Sequence, residues 1–170
     1  MKKIIVIGCP GSGKSFFSKK LSEITNIPKF HLDVLFWKEN WVKTPLDEFL
    51  NKILDIVNNN DSFILDGNYH HTLDFRMNLV DTIFYLDLPV EVCLESEKQR
   101  RGKPREDLPS YLKEEGEDQD FIDFIKSFDL NRKGHILELL EKHKDKNIIV
   151  FKSREEVNQY LLKLESENVS

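Results

Sequence analysis

From Gly8 to Ser15 the chain reads Gly8-Cys9-Pro10-Gly11-Ser12-Gly13-Lys14-Ser15, which is the spacing GxxxxGK[ST]. These residue types at this spacing hold phosphate. The glycines let a short loop fold back and aim its N–H groups inward at phosphate oxygens. The N-terminus of a following helix adds positive potential. Lys14 is then placed to reach β- and γ-phosphates, and the Ser15 hydroxyl to ligate Mg²⁺. The motif carries this meaning only between a strand and a helix. Ile4-Ile5-Val6-Ile7 supplies an apolar strand, and Phe17, Leu21 and Ile24 recur afterwards at helical spacing. The expected ligands are ATP and Mg²⁺, cradled by Gly8, Pro10, Gly11, Ser12, Gly13, Lys14 and Ser15.

Further residues fit phosphoryl-transfer chemistry. Asp66, in Asp66-Gly67-Asn68-Tyr69, ends an apolar run and is placed to hold the Mg²⁺ hydration shell beside Ser15. Asp87 offers the same pattern, but Leu88-Pro89 after it reads as a helix entry, so Asp66 is preferred. Arg100, Arg101 and Arg105 flank Gly102 and Pro104, as in a lid whose guanidiniums fork onto phosphates; solvated helix-end residues give the same pattern. Arg76 is spaced either to reach an acceptor or the γ-phosphate, or to pair with Asp74 or Asp81 at the surface. Asp33 is a candidate to accept a hydroxyl proton or a substrate hydrogen bond. Phe36, Trp37 and Trp41 follow it, either as an apolar wall for a substrate ring or as ordinary packing. His70-His71, lacking further ligands, reads as plain loop. Cys9 lies where a positive field lowers a thiol pKa, or where a tight turn asks for a small residue.

The elements needed to position these groups are legible as alternating strands and helices. Lys29–Leu32, Phe63–Leu65, Thr82–Leu86 and Ile148–Phe151 read as further strands. Thr44-Pro45 opens a helix with inner residues Leu46, Phe49, Leu50, Ile53 and Val57. Pro89 opens another, residues 117–143 look mostly helical, and Ser153 with Glu156 makes a capping box for a closing helix. Fully apolar strands alternating with helices imply a parallel sheet covered on both faces. One α/β domain over 1–170 is expected, with a lid segment around 98–116.

Composition narrows the function classes. Hydrophobic residues make up 39% and charged residues 32%, which suits a folded chain, and twelve Phe predict an aromatic core. The net charge of −5 argues against direct nucleic-acid binding as the main role, although residues 98–105 carry five basic groups. The acidic run 114–120 reads as a solvated face. Two cysteines without metal-ligand spacing suit a reduced, cytoplasmic setting. No apolar run is long enough to span a membrane. No Asn-Lys-x-Asp run selects guanine.

Taken in order, Gly8–Ser15, Leu32-Asp33 with Trp37 and Trp41, Asp66-Gly-Asn-Tyr, Leu86-Asp87-Leu-Pro89 and Arg100-Arg101-Gly102 resemble the adenylate-kinase-related P-loop proteins. Within them the chain is most similar to the DNA topology modulation proteins. The resemblance implies a P-loop NTPase three-layer α/β/α fold, nucleoside-monophosphate-kinase-like, with a five-stranded parallel sheet and a small helical lid. It also implies that Arg100 or Arg105 lies against adenine or phosphates. The adenylate-kinase pattern Asp-Gly-Phe-Pro-Arg is here Asp66-Gly67-Asn68-Tyr69-His70, without the arginine that grips AMP. Three roles are consistent with the sequence: a phosphotransferase acting on an unidentified small-molecule acceptor, an ATP-dependent regulator, or a weak ATPase. The oligomeric state is not legible.

Overall fold

The computed structural model describes residues 1–112 and 118–168. The strands are β1 (Lys3–Gly8), β2 (Lys29–His31), β3 (Trp37–Lys38), β4 (Val42–Lys43), β5 (Phe63–Asp66), β6 (Thr82–Leu86) and β7 (Asn147–Phe151). The α-helices are α1 (Lys14–Thr25), α2 (Leu32–Phe36), α3 (Leu46–Asn59), α4 (Leu73–Asn78), α5 (Val90–Arg100), α6 (Gln119–Lys126), α7 (Gly134–Lys142) and α8 (Arg154–Asn168). Five strands form one sheet in the order β2-β5-β1-β6-β7, and every pairing within it is parallel.

Ile4 through Gly8 and all of β5 and β6 are buried. A parallel strand is buried throughout only when helices cover both of its faces. The expected aromatic core lies where α1, β6, β7 and α8 meet. There the Phe17 ring stands edge-on to Phe84 at 4.8 Å and to Phe151 at 5.5 Å, and Tyr160 closes on Phe84 at 5.4 Å. Such edge-to-face pairs add about 0.5–1.5 kcal/mol each to simple area burial.

The closing helix starts as its sequence predicts. Glu156 N donates to Ser153 Oγ at 3.2 Å, and Lys152 N donates to Glu156 Oε2 at 2.7 Å. Three features depart from expectation. The second strand stops at His31, because Leu32 already begins α2. Trp37 and Trp41 are carried by a two-stranded antiparallel hairpin, β3–β4, too short to show periodicity. Asp129–Lys133 is a π-helical turn between α6 and α7. The expected lid begins in the last turn of α5; residues 101–112 run as turns and bends, and 113–116 lie outside the described residues. So does the 114–117 part of the acidic run.

Candidate active site

Parallel strands all deliver their C-terminal ends to one edge of the sheet. Gly8 pairs in register with Leu86, Val6 with Asp66, and Asp66 with His31. The phosphate loop, the Asp66 block and His31 therefore share that edge. Gly13 caps α1 in the left-handed conformation (φ 96°). Gly11 (φ 81°) lies so close to α5 that a Cβ there would stand 2.2 Å from the Cys93 carbonyl oxygen. Lys14 Nζ donates to the carbonyls of Gly8 (3.0 Å) and Cys9 (3.1 Å). Asn68 ties the second motif to the loop, its Oδ1 accepting from Gly8 N at 3.0 Å.

Two cavities open at this edge. The first, about 650 Å³, is lined by the loop (Pro10, Gly11, Gly13, Lys14, Ser15) together with His31, Asp66, Arg100, Arg105 and Asp107. The second, about 880 Å³, is lined by Trp37, Trp41, Lys43, Arg101, Arg105 and Tyr111. Asp33, Trp37 and Arg105 border both, so the expected base, part of the aromatic wall and one lid arginine sit where the cavities meet. Arg100 lines the first cavity and Arg101 the second, which divides the predicted arginine group.

The two polar motifs are cross-linked. His31 Nδ1 lies 2.8 Å from Asp66 Oδ2, and Lys29 Nζ lies 3.0 Å from His31 Nε2. A lysine ammonium only donates, so Nε2 accepts and the Nδ1 proton goes to Asp66. Tyr69 Oη donates to Asp33 in a short bond. Burial pushes the Asp33 carboxyl above its ordinary range, while the Tyr69 bond pulls the other way and Asp66 and Asp107 add to the rise. The same burial, with Asp33 alongside, raises the Tyr69 phenol.

The sequence reading missed Asp107. Ser15 Oγ donates to Asp107 Oδ2 at 2.8 Å, and Arg105 grips the same carboxylate through Nε and Nη2, both at 3.0 Å. Arg100 Nη1 stands 3.7 Å away. Burial alone would raise this carboxyl, but the Arg105 fork, Ser15 and Arg100 hold it well below the usual carboxylate range. Lys19 and Glu106 add an ion pair between α1 and the lid at 2.9 Å. Ser15, Asp66 and Asp107 all line the first cavity, and each offers oxygen donors only, the chemistry that suits Mg²⁺.

One other expectation is corrected. Arg76 reaches neither an acceptor nor a surface carboxylate. It is fully buried, and donates to Thr72 Oγ1 (3.0 Å), the Gly67 carbonyl (3.0 Å) and, in a short bond, the Asn68 carbonyl. Asp74 pairs instead with Lys142 and His143, and Asp81 receives the Lys2 and Lys3 amides. Asp87 is held by Lys133 at 2.8 Å and by Lys152, and lines neither cavity. Cys9 is not activated: its hydrogen bond with Cys93 and its burial push the thiol up, and the same bond pulls Cys93 down. His70 follows Tyr69 in a short 3-10 turn. It lines the first cavity beside Arg132 and His135, and its ring centroid lies 3.7 Å from that of His71.

The sheet order, the loop and the helix behind it define a P-loop, nucleoside-monophosphate-kinase-like α/β fold. Solved structures share it. Shikimate kinase from Acinetobacter baumannii, in complex with shikimate, matches with a TM-score of 0.60 at 13% identity, covering 100% of this chain and 96% of that one. Deoxyadenosine kinase from M. mycoides with bound dATP matches at 0.53 and 17%, covering 99% and 100%. Shikimate kinase from Bacteroides thetaiotaomicron matches at 0.52 and 17%, covering 99% of each chain. At such identities the likeness is one of fold. No family model and no curated protein matches the sequence. Among the described residues no helix is long and apolar enough to cross a membrane.

Proposed function

We propose that the chain is an ATP:acceptor phosphotransferase of the small-molecule kinase type. The observation that carries this reading is Asp33 at the junction of two cavities, one walled by the phosphate loop and the other by Trp37 and Trp41. A hydrolase needs only the first; transfer needs both, with a base between them.

In this reading the loop N–H groups and Lys14 hold the β- and γ-phosphates. Arg100 and Arg105 exchange Asp107 for the phosphates and offset charge on the group in transfer. Ser15, Asp66 and Asp107 would hold Mg²⁺, which would supply charge neutralisation for the phosphates. Asp33 takes the proton from the acceptor hydroxyl, whose oxygen bonds to the γ-phosphorus as the bond to ADP breaks. Its raised pKa makes it the stronger base for that step. Positioning and charge stabilisation then account for most of the rate.

The neighbours' substrates, shikimate and a deoxynucleoside, support a small hydroxylated acceptor. The finer placement, beside the DNA topology modulation proteins, rests on the ordered motifs of the sequence. Direct action on DNA is not part of this reading, since Arg100 and Arg105 line the cavity beside the phosphate loop and the net charge of the chain is −5.

The test is consumption of Mg·ATP against pooled nucleoside monophosphates, nucleosides, sugars and small alcohols, with Lys14→Ala as control. A pool that raises ADP release well above the acceptor-free rate, and does so only with Lys14 present, supports transfer. Rates unchanged by every pool, with ATP still bound, would sink it in favour of the regulator or ATPase reading.

A further inference from the structure

We infer that Asn68 is a further substrate-binding residue, whose side-chain Nδ2 donates to the γ-phosphate of ATP while its Oδ1 holds the phosphate loop. This rests on the phosphotransferase reading, and adds to it a residue outside the loop, the lid and the Mg²⁺ set.

The orientation of this amide is fixed by what it faces. Gly67 N donates to the Val6 carbonyl at 3.2 Å, which extends the β1–β5 ladder by one bond. A parallel ladder would continue from Gly8 N to the Gly67 carbonyl. That carbonyl instead accepts from the buried Arg76 Nη1 at 3.0 Å, and Gly8 N donates to Asn68 Oδ1, also at 3.0 Å. A backbone N–H only donates, so the atom facing it is the amide oxygen and the other end is the NH₂ group. Asn68 lines the first cavity, and among the described residues its Nδ2 has no acceptor.

The segment that carries the amide is pinned on three sides. Gly67 (φ 141°) and Tyr69 (φ 38°) both have positive φ, a conformation that costs tyrosine energy and persists where the surroundings enforce it. Arg76 holds the Gly67 and Asn68 carbonyls from the buried side, and Tyr69 Oη donates to Asp33. Such fixing is the preorganisation that lets a donor stabilise charge without rearranging.

The same bonds decide which atom of the ligand the amide meets. Asn68 bonds the first residue of the loop, and Tyr69, next to it, bonds Asp33 where the two cavities join. The group that lies between the loop and Asp33 during transfer is the γ-phosphoryl. An amide NH₂ donates and does not titrate, so it binds an oxygen and shuttles no proton. On a γ-oxygen it offsets the charge that shifts during transfer.

The experiment is calorimetric titration, without acceptor, with the Mg²⁺ complexes of ADP and of the non-hydrolysable β,γ-imido analogue of ATP. Wild type is compared with Asn68→Asp and Asn68→Ala. Aspartate keeps an oxygen for Gly8 N and removes only the donor. Asn68→Asp should therefore weaken the triphosphate by about 10- to 100-fold, the usual effect of losing a hydrogen bond to a charged group, and ADP by about threefold or less. Asn68→Ala also frees Gly8 N, so both nucleotides should weaken, the triphosphate still the more. Because Asn68→Asp keeps the bond to Gly8, the ratio stays readable even where Asn68→Ala fails to fold. Equal weakening of the two nucleotides, or none, would show that Asn68 at most holds the loop; the inference is then overturned and the phosphotransferase reading survives. A selective loss of the triphosphate, in a protein that transfers phosphate to no acceptor, upholds the inference and defeats that reading. A wild type that binds neither nucleotide overturns both.

Discussion

His31 and Asp66 face each other in register on adjacent parallel strands, and the imidazole Nδ1 donates to the Asp66 carboxylate across 2.8 Å. Lys29, two residues before His31 on the same strand, fixes the imidazole tautomer from the other side. Asp66 is only 4% exposed, so its orientation is set by this chain of bonds more than by solvent.

This makes His31 a positioning residue for the carboxylate expected near Mg²⁺. Replacing it by Ala should raise the Mg²⁺ concentration needed for half-maximal ATP turnover by about 10- to 100-fold, as loss of an outer partner commonly does. His31→Asn, which keeps one donor, should recover part of the loss. Equal Mg²⁺ dependence in wild type and His31→Ala would show that Asp66 is oriented without it.

Arg76 is predicted to matter for folding. Burial pushes its pKa down to about 9, which leaves it charged at neutral pH, and its fork satisfies the carbonyls that follow Asp66. Arg76→Ala leaves those carbonyls without their donors, at about 1–3 kcal/mol each, and opens a void, so a loss of several kcal/mol is expected in denaturant unfolding. Arg76→Lys should rescue little, because a compact ammonium cannot reproduce the planar fork. A fully stable Arg76→Lys protein would contradict this account.

What was legible in the sequence followed from local pattern. The phosphate loop declares itself by spacing, and the strands by apolar runs, because both signals are contained within about ten residues. The β3–β4 hairpin was not legible: two-residue strands leave no period, and only the residue types Trp37 and Trp41 hinted at a wall. Asp107 was invisible for a different reason. Its partner Ser15 lies 92 positions away, and Arg-Glu-Asp at 105–107 looks like any solvated charge run. Arg76 was misjudged because offset from a motif says nothing about burial; its partners are backbone carbonyls, which carry no sequence signal.

Two glycines of the loop should respond differently to alanine. Gly13 has φ 96° but open space where a Cβ would go, so Gly13→Ala should cost only the left-handed strain, about 1–2 kcal/mol. Gly11 adds a backbone collision with the Cys93 carbonyl to a similar strain. Gly11→Ala should therefore destabilise more in denaturant unfolding, and should lose ATP binding through displacement of α5. Equal losses at the two positions would mean that α5 yields freely to the loop.

Asp107 should leave a signature in acid. Its folded-state pKa is depressed by Arg105, Ser15 and Arg100, so the unfolded chain takes up its proton first as pH falls below about 4. Its contribution to stability is full above that pH and declines as pH drops toward the folded-state value. Asp107→Asn should lower the melting temperature near neutrality and flatten its fall between about pH 4 and pH 2. Parallel melting curves for the two proteins would remove the Arg105 clamp from this account.

His70 provides a probe of where the phosphates go. Partial burial, then Arg132, His71 and His135, hold its pKa down at about 4, so the ring is neutral at pH 7. Because that is below the usual histidine value, the unfolded chain binds the proton more readily between about pH 6.5 and 4, and stability from this group is lost as pH falls through that window. Negative phosphates bound in the first cavity, which His70 lines, favour the imidazolium and should raise its pKa. NMR titration of the His70 ring protons with and without Mg·ATP measures this directly, with His70→Gln to assign the resonance. An upward shift on binding supports phosphates on this side of Arg132, and Arg132→Ala should raise the ligand-free value as well. A His70 titration unmoved by saturating Mg·ATP would place the nucleotide's charge elsewhere.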